Sequence, residues 1–228
     1  MELSIDTSTR YASVAVSQQG ECIAELTWRS ERNHSVELVP AVQELMGRAR
    51  AGLDQIEAVF VAGGPGGFSA LRVGMSTAKA LALGLEASLV SVGTLEIEAQ
   101  PYLGLGLPVR ALINAGRDRL YVAAYDASHA SVEPRYSVMG HGELASEAPQ
   151  TAIFCGEGAQ AAAPTLRELA GASIMVADVS PPTRRAGTLT RLGFDRWRSG
   201  VSDDLATLQP LYLRSSQVDV AHRTWQRS

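Results

Sequence analysis

Hydrophobic and polar positions alternate three times within the first thirty residues, in LSIDTS (3–8), YASVAVSQ (11–18) and ECIAELTW (21–28). A period of two over such short runs predicts half-buried strands, and Gly20 supplies the turn between the second and the third. The period then lengthens. Residues 35–50 repeat their apolar positions at helical spacing, a strand follows near 56–62, and a second helix is predicted over 69–85. Between that strand and that helix lies VAGGPGGFSALRVG (61–74), a loop dense in glycine. A strand at 88–92 and a helix starting near Thr94 complete the half.

After the link YLGLGLP (102–108) the order recurs. Strands are predicted at 109–115, 119–126 and 134–139, then a helical stretch at 142–147, a buried strand TAIFC (151–155), an alanine-rich helix at 159–170 and a short strand at 174–177. No element is assigned between 178 and 200, and Asp203-Asp204 reads as the start of a C-terminal turn. Ile5-Asp6-Thr7-Ser8 before YASVAV matches Ile113-Asn114-Ala115-Gly116 before RLYVAAY, and VFVAGGPG before a helix matches IFCGEG before a helix. A half-domain of three strands, helix, strand, helix used twice is α/β. The expected class is a pair of actin/hexokinase/Hsp70-like (ribonuclease H-like) half-domains, a duplicated βββαβα. The expected boundaries are an N-terminal lobe at 1–102, a smaller lobe at 103–200, and a tail at 201–228 that packs back on the first lobe.

The two N-terminal helices carry more apolar surface than one sheet can cover. At 100° per residue Leu38, Val39, Ala41, Val42, Leu45, Met46 and Ala49 spread over roughly 160° of the first helix, where a stripe of ~100° suffices for seating on a sheet. In the second, Leu71, Gly74, Met75, Ala78, Leu81, Ala82 and Leu85 form one face, and Val73, Ala80 and Leu83 lie away from it. Gly74, Ala78 and Ala82 recur every four residues and would let another backbone approach. A helix apolar on both sides is covered on both sides. Either the domain has layers on each flank, or these helices dock another protein.

Composition narrows the chemistry. The chain has 228 residues, 46% hydrophobic and 19% charged, with net charge −4. That balance suits a globular fold of one large domain or two small ones. It speaks against a protein that holds nucleic acid by itself; the arginines of the tail (Arg214, Arg223, Arg227) are scattered. Cys22 and Cys155 stand far apart in no CxxC pattern, no apolar run reaches membrane-spanning length, and residues 1–11 read as a strand rather than a signal peptide. The expectation is a soluble protein of a reducing compartment, in the cytoplasm and not at a membrane.

Phosphate motifs fail. A P-loop needs GxxxxGK[ST], yet the single lysine, Lys79, lies deep in the following helix, and Ser69 stands where a third dinucleotide-binding glycine belongs. What remains at Gly64 and Gly66 is a candidate anion nest or a tight reversal of the chain. Asp6, ahead of Thr7-Ser8-Thr9, either contacts a metal-bound phosphate in an actin-like cleft or caps a hairpin. No metal site is expected: the four histidines (His34, His129, His141, His222) have no helical ligand spacing, and Leu38 occupies the position four after His34. No catalytic residues are assigned; GxSxG is absent, so a peptidase has no support.

IDTSTRYASVAV, NHSVELVP, GPGGFSALRVGMSTAKALA and PLYLR (210–214) together resemble the TsaB (YeaZ) family, over residues 5 to 214. The family's central signature reads GPGSFTGLRIG; here Gly67, Ser69, Ala70 and Val73 differ while Leu71-Arg72 are kept. The resemblance implies a cytoplasmic, non-catalytic scaffold for making N6-threonylcarbamoyladenosine beside the anticodon of tRNAs reading codons that begin with A. It implies pairing with TsaD, the metal-bearing transferase whose helix carries two histidines four apart, together with the ATPase TsaE, and a homodimer when alone. tRNA would be met through the complex. On that basis Val39, Val42, Leu45, Met46, Leu71, Arg72, Met75, Ala78 and Ala82 are the candidate interface. The isolated chain is expected to bind no cofactor, with ATP or ADP left open at the junction with the partner. An independent actin-type ATPase or kinase is the alternative, ahead of a peptidase.

Overall fold

The computed structural model describes residues 1–31, 33–127, 134–169, 174–177 and 184–213. The chain runs β1 (Glu2–Asp6), β2 (Tyr11–Gln18), β3 (Glu21–Arg29), α1 (His34–Ala49), β4 (Ala58–Ala62), α2 (Phe68–Leu85), β5 (Ser88–Val92) and α3 (Thr94–Ala99). It continues β6 (Val109–Gly116), β7 (Arg119–Tyr125), β8 (Arg135–Gly140), α4 (His141–Ser146), β9 (Ala152–Cys155), α5 (Glu157–Leu169), β10 (Ile174–Val176) and α6 (Ala186–Arg198). Two five-stranded sheets result, ordered β3-β2-β1-β4-β5 and β8-β7-β6-β9-β10. In each the first three strands are antiparallel neighbours and the last two join in parallel. The weak sequence repeat is therefore a full duplication of topology, and the class is the duplicated actin-like α/β fold.

The chain forms two compact units, Met1–Ile97 with Arg184–Leu211, and Glu98–Thr183. This corrects the expected division: residues 184–200, assigned from sequence to the second lobe, belong to the first. The tail beyond Leu213, with Arg214, Arg223 and Arg227, lies outside the described residues, as do His129 and His222.

Strand pleating explains the layers of the first unit. Successive side chains leave a sheet on opposite faces. Leu3 and Ile5 of β1, Val14 and Val16 of β2, Val59 and Val61 of β4 and Leu89 of β5 join Leu38, Val42 and Leu45 of α1 and Met75, Ala78 and Ala82 of α2 in one core. The alternate residues Ala58, Phe60, Ala62, Val90 and Val92 meet Leu189 of α6 in another. Both faces are buried, which is why AVFVA is apolar throughout. The third layer is α6, the element absent from the sequence reading. It lies flush because its inward positions are small: a Cβ on Gly193 would sit 2.4 Å from the Phe60 ring, and the Thr190 and Ser4 hydroxyls share a 2.8 Å hydrogen bond.

After α6 the chain forms a strap, residues 201–211, along the β5 edge. The Asp203 N–H donates to Leu89 O at 2.7 Å and the Leu211 N–H to Gly63 O at 2.8 Å. The Ser91 N–H donates to the Asp203 carboxylate at 2.6 Å. Lys79 Nζ of α2 donates to Leu208 O at 2.5 Å, and Leu205 and Leu208 pack on the same core as Val73, Leu81 and Leu85. Of the residues away from the main face of α2, Val73 thus belongs to the protein's own core, whereas Ala80 and Leu83 stay exposed. In the second unit, α4 and α5 cover Leu112, Leu120, Val122, Met139 and Phe154.

Candidate functional site

The four residues after Ile5 form a junction. Asp6 is 1% exposed. Its Oδ1 accepts the Ser8 N–H at 2.8 Å and the Ser8 hydroxyl, while Oδ2 accepts Arg184 Nε at 2.6 Å. Arg184 Nη2 also donates to Thr9 Oγ1 at 3.2 Å. Both partners of the ion pair have side chains 1% exposed. The carboxylate proposed from sequence as a contact for metal-bound phosphate is occupied by the protein's own guanidinium, so the capping role, with an ion pair added, is the one observed. A buried carboxylate must be paired, and the charge that pairs it here arrives from α6's leading end.

The glycine loop is equally committed. The Gly64 N–H donates to Thr94 Oγ1 at 3.0 Å; Gly63 N–H reaches Val92 O at 2.8 Å and Gly67 N–H reaches Ser8 O at 2.7 Å. Three of the amides that an anion nest would present are consumed inside the fold. Gly64 has φ +108°, and a Cβ there would lie 2.7 Å from Leu211 O. A Cβ on Gly66 would lie 2.2 Å from Ser8 O, and one on Gly74 would lie 2.3 Å from Thr7 Oγ1. Close approach by neighbouring chain atoms accounts for these glycines, and the bonded Gly64 amide corrects the reading of Gly64 as a phosphate contact. The Gly64–Pro65 peptide is cis.

The same junction fixes the starts of both docking candidates. Thr7 Oγ1 donates to Ala70 O in the first turn of α2 at 2.7 Å. His34, the first residue of α1 and buried, places Nε2 2.9 Å from Thr9 O, so that nitrogen carries the proton and donates. Leu38, one turn on, is in the core. Glu37 accepts the Trp28 indole N–H at 3.0 Å; hydrogen bonds from the Ser30 hydroxyl and that indole hold its carboxyl below the usual range.

On the helices themselves the structure sorts the nine candidate interface residues sharply. Val42, Leu45, Met46, Leu71, Met75, Ala78 and Ala82 are buried in the protomer's own core. They are the sheet-facing stripe, and cannot be a docking surface. Val39, 49% exposed, and Arg72, whose guanidinium stacks 3.9 Å over the Phe68 ring, remain outside. The outward faces carry residues the candidate list omitted: Val36 at 72%, Phe68 at 54% and Leu83 at 70% exposure, with Pro40, Gly47, Ala80 and Gly84 exposed beside them. Gly47 and Gly84 share one feature with Gly142 of α4. Each sits in a helix, and a Cβ at either would meet nothing within 4 Å. Helical glycine costs about 1 kcal/mol relative to alanine, and among the described residues no neighbour of either position requires it.

In the second unit, Cys155 is buried, with its thiol directed to Glu98 O at 3.6 Å. Burial and then the Glu98 carboxylate push that thiol well above its ordinary value, the reverse of what an activated nucleophile needs. Burial likewise raises the Tyr102 hydroxyl. Among the described residues no group of three or more His, Cys, Asp or Glu side chains is arranged to hold a metal ion, and no helix is long and apolar enough to cross a membrane.

The family model described as "TsaD: tRNA N6-adenosine threonylcarbamoyltransferase" matches residues 24–140, more than half of the chain. The chain is 25% identical over 222 residues to the tRNA threonylcarbamoyladenosine biosynthesis protein TsaB of Bacillus subtilis, covering 95% of each. It superposes on YeaZ from Pseudomonas aeruginosa with TM-score 0.75 at 26% identity, covering 93% of this chain and 99% of that one. The chain belongs to the TsaB/YeaZ branch of the TsaD family. A tRNA N6-adenosine threonylcarbamoyltransferase of an Anaeromyxobacter species is 39% identical over 105 residues, a match spanning 41% of this chain and 30% of the transferase. The TsaB-type match therefore runs end to end, whereas the transferase match is confined to a segment.

Proposed function

We propose that this chain is a non-catalytic subunit in the formation of N6-threonylcarbamoyladenosine on tRNA. It docks on a TsaD-type transferase through the outward faces of α1 and α2, in a complex that also includes a TsaE-type ATPase. Without that partner, a second copy of this chain takes the same strip. The isolated chain holds no nucleotide; ATP or ADP, where it enters, does so with the partner present, and tRNA is met through the complex in the cytoplasm.

One observation carries this reading. Two helical glycines, Gly47 and Gly84, face open space on helices that also expose Val36, Val39 and Leu83. Bare helical backbone and exposed apolar side chains on the same two helices suit packing against another helix. The commitment of Asp6 and the Gly63–Gly67 loop to internal bonds supports a supporting role over a catalytic one. Reconstitution tests it: a TsaD-type transferase, a TsaE-type ATPase, threonylcarbamoyl-adenylate and tRNA, with and without this chain. Modification is expected only when the chain is present, and the chain alone is expected to give neither modification nor ATP hydrolysis. Full transferase activity in its absence refutes the proposal.

A further inference from the structure

Three helices start from one four-residue turn. Ser8 O receives the Gly67 N–H, the residue before α2. Thr7 Oγ1 reaches Ala70 O in the first turn of α2. Thr9 O receives His34 Nε2, the first residue of α1. The turn itself is held by the Asp6 carboxylate, which binds Ser8 twice through Oδ1. The charge opposite that carboxylate belongs to Arg184, where the chain re-enters the first unit and two residues before α6 begins.

We propose that Arg184 is a positioning residue for the docking strip. Its guanidinium clamps Asp6 and Thr9 together, and through the 6–9 turn fixes the first turns of α1 and α2 relative to each other. This goes beyond the docking proposal and rests on it for its consequence in binding. The geometry favours this role over simple anchoring of α6. An anchor needs only one contact, whereas Arg184 bridges Oδ2 of Asp6 and Oγ1 of Thr9, the two ends of the turn. Those residues are the ones whose neighbours and carbonyls hold the two helices. Two helices presenting one surface must keep their offset, because interfaces tolerate sub-ångström error poorly and a shift at the first turn translates the whole outward face.

The test compares wild type with Arg184→Met, which keeps the aliphatic stem and removes the cation, and Arg184→Lys, which keeps the charge but cannot span both oxygens as a planar fork. Hydrogen exchange is read by segment on the free chain. In Arg184→Met, protection of 34–38 and 67–72 is expected to fall about tenfold while 80–85 stays within about twofold, with Arg184→Lys between the two. Affinity for the TsaD-type transferase is expected to fall about tenfold in Arg184→Met although no outward residue has changed. Equal loss of protection in all three segments overturns the inference and leaves a merely structural ion pair; so does unchanged protection in the first two segments. Should Arg184→Met not fold, Arg184→Lys carries the same measurement. The exchange arm needs no partner. Failure of the wild-type chain to bind the transferase sinks the docking proposal separately, whereas a normal affinity in the folded variants sinks only the role of Arg184.

Discussion

Replacing Gly84 separates the needs of the fold from the needs of a partner. Gly84 is the penultimate residue of α2, and a Cβ there has no neighbour within 4 Å. Gly84→Ala therefore carries no steric cost and gains helix propensity of about 0.8–1.0 kcal/mol, less some fraction for its place in the last turn. For a chain of this size, about 1 kcal/mol raises Tm by roughly 2–4 °C. Gly84→Leu keeps most of that gain and adds a side chain standing off the helix. Gly74→Ala is the internal control: its Cβ would lie 2.3 Å from Thr7 Oγ1, which itself bonds Ala70 O. Overpacking there is expected to cost about 1–3 kcal/mol. Thermal denaturation by circular dichroism reads the stability, and calorimetric titration with the TsaD-type transferase reads the docking. The expected pattern is Gly84→Leu at least as stable as wild type and bound about tenfold or more weakly, a loss of about 1.4 kcal/mol. Wild-type affinity in Gly84→Leu refutes the assignment of this face as the contact. A fall in Tm for Gly84→Ala refutes the claim that the glycine is not required internally.

Burial raises the Asp203 carboxyl above its ordinary value, against weaker opposing effects from the Ser91 N–H and Arg196. A raised carboxyl contributes stability that is fully present below its unfolded value and lost as pH rises through the folded one. Asp203→Asn, which keeps an oxygen acceptor for Ser91, is expected to exceed wild type in Tm at pH 7, with the gap closing as pH falls toward 4; a gap that widens on acidification contradicts the sign. Gly66→Ala places its Cβ 2.2 Å from the Ser8 carbonyl, a backbone atom that cannot step aside, and is expected to lower unfolding free energy by about 2–4 kcal/mol in urea titration. Of the two cysteines, Cys22 is exposed and Cys155 buried with its thiol pushed well up. A chromogenic disulfide reagent is expected to react with one thiol in the native chain at pH 8 and with both in denaturant; two fast thiols without denaturant contradict the burial of Cys155.

The alternation of LSIDTS and YASVAV and the strand–glycine-loop–helix passage were legible because one period dominated each. The helix α6 was not. Its buried positions are Ala186, Leu189, Thr190 and Gly193, and all but Leu189 are small or polar, with Phe60 against Gly193 and Ser4 against Thr190, so its buried stripe carries little apolar bulk. Missing the strap left part of the apolar surface of α2 without an internal owner, and seven of the nine candidate interface residues lie on the sheet-facing side. A wide apolar arc has an inner and an outer part, and spacing alone does not say which part meets the sheet. Leu83 and Ala80, lying away from the main stripe of α2, were the legible trace of the outer face. Asp6 presented a different difficulty. An aspartate at the end of a first strand has the same local sequence whether it meets a metal-bound phosphate or an arginine, and its arginine lies 178 residues downstream.

The two corrections have a common physical origin. Groups that could receive a ligand, namely a carboxylate at a strand end and the amides of a glycine loop, were found bonded to the protein. A buried polar group left for a ligand stands unsatisfied until the ligand comes, at a cost of about 1–3 kcal/mol each in the empty state. In this chain Asp6, Gly63, Gly64 and Gly67 hold Arg184, Val92, Thr94 and Ser8 instead. The unmet demand sits elsewhere, on the outward backs of α1 and α2, as exposed Val36, Val39 and Leu83 and two uncovered glycines. Unsatisfied polar groups call for a small ligand; uncovered apolar surface and bare helical backbone call for another folded chain. The docking proposal places the partner subunit on that uncovered surface, and the proposal for Arg184 makes the 6–9 turn, whose carboxylate and Ser8 carbonyl are bonded internally, the element that aligns it.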